Sequence, residues 1–209
     1  MKDMSVADLC GLTAAATAAP GGGSIAAMAG AFAAALACMA ARLTLHKPGY
    51  EETAEAMAQV ADEAEALRLE LLSDIQRDSE AYDAFLRAHS LPRDNEYERA
   101  ARQAALQEAL KNACLTPLAV GRKCLDALQK AATTVESGNR NTAADALAGV
   151  FLARAAVMAN VNNILTNLAG VLDAGFTDRM KVACQELAQQ ADEGERAALL
   201  GLRARQGEV

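Results

Sequence analysis

Residues 24–45 read SIAAMAGAFAAALACMAARLTL, and the reading of this stretch decides the fold class. Alanine is the best helix former and loses no side-chain entropy on ordering. The run holds no Pro, a single Gly, and no charge before Arg42. A helix that is apolar all round is enclosed by other helices or by lipid. From Ile25 to Ala41 the stretch is short for a membrane span. Its apolar residues are mainly Ala, which lipid draws in weakly. It is therefore read as the buried central helix of a protein whose helices pack with close backbones.

Before this helix, Pro20-Gly21-Gly22-Gly23-Ser24 ends a short first helix that starts at Ser5, with Asp8 forming a variant capping box, and stops near Ala18. After it, Lys47-Pro48-Gly49 makes a turn. Met57, Val60, Ala64, Leu67, Leu71, Ile75 and Tyr82 then mark an apolar stripe at helical spacing along residues 51–88. A fourth helix is expected from Asn95 to Cys114, with Pro117 kinking it or opening a new one to about Thr134. Thr142 is expected to cap a helix running to Val171, and a last helix spans about Thr177–Arg203. A frayed tail follows from Gln206. No repeat or linker divides the chain. The sequence predicts an all-α, single-domain bundle of five to seven long helices over residues 1–209. Helices this apolar need more cover than one small bundle supplies, so a homodimer through a helical interface is expected.

Composition narrows the function classes. Apolar residues make up 52% of the chain but aromatics only 3%, which disfavours strands. The net charge is −7 and no Lys/Arg run occurs, so neither nucleic acid nor a membrane surface is an expected partner. The five Cys are widely spaced, without a CxxC, as expected of free thiols in a reducing cytoplasm. His46 and His89 lack partners at metal-ligand spacing, so no metal is expected. Residues 1–4 do not resemble a secretory leader.

Three features could carry chemistry. Gly21, Gly22 and Gly23 leave a turn without Cβ atoms directly before a helix N-terminus, where free N–H groups suit an anion or carbonyl oxygen. Ser24 can cap that helix or bond a ligand. A tight turn between two close helices explains the same glycines. Asn160, Asn163 and Asn167 fall on one face of an otherwise apolar helix, while Asn162 points elsewhere. Asp145 is on the same face, 18 residues before Asn163 and about 27 Å away. These amides either form an interhelical ladder or line a site for a flat heterocycle. Asp78 stands among many acids and could simply be solvated. Lys47 and Arg93 are possible anion contacts or ordinary surface charges.

The order of several short segments resembles the formiminotetrahydrofolate cyclodeaminase and methenyltetrahydrofolate cyclohydrolase family over about residues 5–175. These are Pro20–Ser24, Leu43-Thr44 with Lys47 and Tyr50, Asp78–Tyr82, Leu91-Pro92-Arg93, Gly138–Asn141 with Asp145, and Asn163–Leu168. Tyr82 stands where the family usually has Phe, and Arg93 where it has Lys. The resemblance implies a helical dimeric enzyme acting on a one-carbon unit carried by tetrahydrofolate, with the folate as substrate and no further cofactor. It implies Asp78 as the catalytic acid–base. Gly21, Gly22, Gly23, Ser24, Lys47, Arg93, Asn139, Asn141, Asp145, Asn163 and Asn167 become the expected substrate-binding residues. A non-catalytic helical dimer that binds a folate or another small molecule is the alternative.

Overall fold

The structure, a computed structural model, describes residues 1–207. Its six helices are α1 (Val6–Thr13), α2 (Gly22–Arg42), α3 (Ala54–His89), α4 (Glu96–Ser137), α5 (Ala143–Leu168) and α6 (Ala174–Gln206), with short 3-10 turns at Glu51–Thr53 and Arg140–Thr142. No strand occurs among the described residues. By length and composition α2 and α5 could each cross a membrane; here α2 packs against α3, α4 and α5 and keeps one face, with Phe32 and Met39, exposed, so it is not buried all round as expected.

The alanines explain how α2 fits there. Ala27, Ala33, Ala34, Ala37, Ala40 and Ala41 are wholly buried, with larger Leu71, Leu128, Val150 and Ile164 from the surrounding helices in the same core. At Gly149 of α5 a Cβ would come 3.2 Å from the Ala33 carbonyl oxygen, so α5 lies almost on the α2 backbone. The two helices run antiparallel: Gly23 is level with Asn163, and Thr44 with Asn139.

Several boundaries differ from the sequence reading. Helix α1 ends at Thr13, whose hydroxyl turns back onto the Leu9 carbonyl, and residues 14–20 run on without helix. Ser5 does cap α1, accepting from the Asp8 N–H at 3.1 Å. Thr142 makes no side-chain cap; its hydroxyl donates to the Asn139 carbonyl, and Asn139 caps the 3-10 turn instead. Helix α5 stops at Leu168, and Asp173 caps α6 through the Phe176 N–H. Gly207 closes α6 at φ 79°, and the rest of the expected tail lies outside the described residues.

The largest difference is at Pro117, where α4 runs unbroken for 42 residues. A proline removes the N–H that would bond the carbonyl four residues back. Here that carbonyl belongs to Ala113, and the Asn167 side chain of α5 donates to it at 2.8 Å. The helix continues because a neighbouring helix supplies the missing donor.

Candidate active site

The glycine turn, the middle of α3 and the end of α5 meet around a cavity of about 480 Å3. Gly21, Gly22 and Gly23 form one wall. Asp78, Ser79, Tyr82 and Phe85 line it from α3, Leu110, Ala113 and Pro117 from α4, and Asn162, Asn163, Thr166 and Asn167 from α5.

Asp78 is held at the N-terminus of α2. Its Oδ2 accepts from the Ser24 N–H at 2.9 Å and from the Ser24 hydroxyl at 3.0 Å. The helix begins at Gly22, so Ser24 lies inside its first turn and holds the catalytic candidate rather than capping the helix. A carboxylate at a helix N-terminus also gains from the helix dipole. The N–H groups of Gly22 and Gly23 have no acceptor among the described residues and belong to the cavity wall. Gly23 must be glycine for steric reasons: a Cβ there would overlap the Asp78 carboxylate and stand 2.9 Å from Asn163 Nδ2.

One turn below Asp78, Asp74 is 2% exposed and ion-paired with Lys123 of α4 at 2.8 Å and with Arg77 at 2.7 Å. Burial works against the Lys123 charge, but its hydrogen bonds to Asp74 and Glu70 prevail and raise its pKa. The pair fixes α3 on α4 beside the cavity floor.

The asparagines divide by position. Asn163 and Asn167 face the cavity, and Asn167 Nδ2 bridges the Ala113 carbonyl and, at 3.3 Å, Asn163 Oδ1. Asn160 is buried away from the cavity; its Nδ2 donates to the Ala156 carbonyl and its Oδ1 has no partner. Asn162, expected to point elsewhere, is on the cavity rim. The sequence reading also missed Phe85, Pro117 and Thr166 as lining residues. The signal for Pro117 was a proline within a helical pattern, but its partner Asn167 is 50 residues away in sequence.

The other expected residues lie elsewhere. Arg93 is exposed in the α3–α4 turn and does not line the cavity. Lys47, Asn139, Asn141 and Asp145 gather at the opposite end of the α2/α5 pair. There Asn139 is buried, donating its N–H to Thr44 Oγ1 at 2.9 Å and accepting from the Asn141 N–H at 3.0 Å. The Arg140 N–H donates to the Tyr50 hydroxyl, and Arg205 donates to the Val135 and Gly138 carbonyls. This end is a hydrogen-bonded joint between α2, the Arg140–Thr142 turn and α6.

The cavity thus offers a fixed carboxylate, two free backbone N–H groups, three carboxamides and an apolar wall with two aromatic rings. These parts suit a flat, polar-edged heterocycle undergoing proton transfer beside a developing charge.

Comparisons with known proteins agree with that geometry. The formiminotransferase-cyclodeaminase family model matches residues 5–186. A methenyltetrahydrofolate cyclohydrolase from Methylorubrum extorquens is 40% identical over 159 residues, 76% of each chain. The formimidoyltransferase-cyclodeaminase of Sus scrofa is 32% identical over 91% of this chain, which spans only 35% of that longer protein. The crystal structure of formiminotetrahydrofolate cyclodeaminase from Thermotoga maritima superposes with a TM-score of 0.88 at 29% identity, covering 97% of this chain and 98% of that one. With the match running through the glycine turn, the Asp78 helix and the asparagine helix alike, the chain belongs to the formiminotransferase-cyclodeaminase family.

Proposed function

We propose that this protein is an enzyme of folate one-carbon metabolism that closes 5-formiminotetrahydrofolate to 5,10-methenyltetrahydrofolate with release of ammonia, interconverts 5,10-methenyl- and 10-formyltetrahydrofolate, or does both. The observation that carries this reading is the Asp78 carboxylate, held by Ser24 in a cavity that Asn163 and Asn167 also line. Family membership supplies the substrate class.

Both reactions pass through a tetrahedral carbon between folate N5 and N10. In ring closure N10 bonds to the formiminium carbon and loses its proton to Asp78. Asp78 then returns the proton to the amino nitrogen, which leaves as ammonia. In the hydrolytic direction Asp78 takes a proton from the water that attacks the methenyl carbon. It passes this proton to N5 as the N5–carbon bond breaks, while the hydroxyl proton goes to solvent. The carboxamides of Asn163 and Asn167 match the pterin edge, and Tyr82 and Phe85 flank the aromatic body. The folate is the substrate, and the chemistry requires no other cofactor.

The whole chain acts as one helical unit, works in the cytoplasm and pairs as a homodimer. Phe32, Met39 and Leu43 of α2 and Phe151 and Leu152 of α5 form the exposed apolar surface that motivates the pairing. The test follows the methenyl chromophore with each folate and purified protein. Absence of turnover with both substrates, from a folded protein that binds folate, would leave a non-catalytic binder.

A further inference from the structure

We infer that Ser79 is a positioning residue for the Asp78 carboxyl and acts through Ser24, whose hydroxyl moves between two acceptors as Asp78 gains and loses its proton at Oδ1. This deepens the folate reading above and rests on it for the chemical step.

Ser24 is wholly buried, so its hydroxyl cannot turn to water. A buried hydroxyl needs a partner inside the protein. This one has a single proton and two acceptors on α3, Asp78 Oδ2 at 3.0 Å and the Ile75 carbonyl at 3.1 Å. An ionised carboxylate is the stronger acceptor and takes the Ser24 proton. Once Asp78 is protonated that advantage is gone, and the Ile75 carbonyl receives the same hydroxyl without leaving it unpaired. In both states the Ser24 N–H stays on Oδ2 at 2.9 Å. The carboxyl therefore keeps its orientation while its charge changes.

The two oxygens of Asp78 divide the work. Oδ2 takes both bonds from Ser24, whereas Oδ1 has no hydrogen bond to any described residue. Oδ1 lies over Gly23, where a Cβ would overlap it and stand 2.9 Å from Asn163 Nδ2. The free oxygen and the Asn163 amide thus share the space left by the missing Cβ, on the cavity wall. The proton from N10, or from the attacking water, goes to Oδ1. Its O–H bond forms as the N–H or water O–H bond breaks, and the reverse transfer delivers the proton to the leaving nitrogen or to N5. Ser24 keeps its own proton throughout.

Ser79 is the cavity group that these steps do not use. It lines the cavity yet is only 7% exposed. It follows Asp78 in sequence, so its side chain leaves α3 about 100° further round. Its Oγ meets Ser24 Oγ at 3.4 Å. Ser24 gives its proton to Asp78 or to Ile75 in either arrangement, so Ser79 is the donor in this contact. A hydroxyl that accepts a hydrogen bond donates a stronger one. Ser79 therefore tightens the hold of Ser24 on Asp78 without touching the carboxylate. Its contact is the longest of the set, so its share of the effect is the smallest.

Carbon-13 NMR without substrate tests the brace. In protein labelled at the aspartate side-chain carboxyl, the Asp78 signal is the one lost in Asp78→Asn. Ser24→Ala should shift it, and Ser79→Ala should shift it the same way by less. In Ser24→Ala/Ser79→Ala the signal should stay where Ser24→Ala put it, because Ser79 acts only through Ser24. Ser24→Cys takes the place of Ser24→Ala if the latter does not fold. No shift in Ser79→Ala, or additive shifts in the double variant, overturns the proposal whatever the activity. Asp78→Asn also serves as a neutral stand-in for the protonated acid. It should shift the Ile75 carbonyl signal, assigned by its loss in Ile75→Val, as the hydroxyl turns to that oxygen, and should shift it less in a Ser24→Ala background. Equal shifts in the two backgrounds overturn the movement. With folate, kcat should fall about 10- to 100-fold in Ser24→Ala and about 2- to 10-fold in Ser79→Ala, with KM held, and the double variant should be no slower than Ser24→Ala. Ser79→Cys keeps the volume but only a weak donor, and should match Ser79→Ala. Wild-type kcat in Ser79→Cys would make Ser79 a packing residue and overturn its role. A wild-type chain inactive on both folates, with the NMR shifts as expected, supports the brace and overturns only the folate reading.

Discussion

The two ends of the α2/α5 pair are built from similar residues and do opposite things. At one end Ser24, Asp78, Asn163 and Asn167 leave acceptors and donors facing a cavity. At the other Thr44, Asn139, Thr142 and Tyr50 bond one another and the backbone. Hydroxyls and carboxamides are needed at both ends, so residue type does not distinguish a site from a joint. What differs is whether these hydroxyls and carboxamides face a cavity or bond one another and the backbone. Substitutions at the first end should therefore change chemistry and binding, and those of Thr44, Asn139 and Thr142 at the second should change stability.

The sharpest break of this comparison is Asp78→Asn. Turnover should fall roughly 100-fold or more, the usual worth of general acid–base help, with folate binding and melting temperature nearly kept. Near-normal turnover would move the catalytic role away from Asp78.

Asn167 tests whether one residue can serve both roles. Its Nδ2 occupies the Ala113 carbonyl left free by Pro117. Asn167→Leu should lower stability by about 1–3 kcal/mol, seen as a fall in Tm, and weaken folate binding by about 5- to 150-fold. Pro117→Ala restores the missing helix donor, so in the double variant stability should return while affinity stays low. Recovery of both would show that Asn167 acts only as packing.

At the joint, Thr44→Val removes the hydroxyl that accepts the buried Asn139 N–H. A chemical denaturation midpoint should report about 1–3 kcal/mol lost, with kcat of the folded protein close to wild type. A drop in kcat with unchanged stability would erase the distinction between the two ends.

The smallest effect is in the thiols. Cys10 is exposed and the other four are buried. Burial pushes Cys114 up to about 11 and Cys124 up to about 12. At pH 8 a disulfide reagent should label Cys10 fast and the rest only on unfolding. These folded-state pKa values lie above the ordinary 9.0, so the unfolded chain releases thiol protons first. Stability should decline as pH rises beyond 9 toward those values, and a pH-independent alkaline Tm would contradict the burial.

Sequence alone determined the helical class, because an alanine-rich run without charge has few other ways to order, and it placed most turns at Gly and Pro. It also singled out the glycine turn and the asparagine face as sites of interest, while Asp78 came only from the family resemblance. It read Pro117 as a kink or the start of a new helix, whereas α4 runs unbroken because another helix supplies the donor. Nor could it separate Asn163 from Asn160, although both sit on the same face by helical spacing: one borders a cavity and the other is buried against Gly121. Ser24 read as either a helix cap or a ligand contact until α3 brought Asp78 within 3.0 Å of its hydroxyl. Local periodicity depends on a few neighbouring residues, whereas the engagement of a polar group depends on which helix packs against it, and only the tertiary structure decides that.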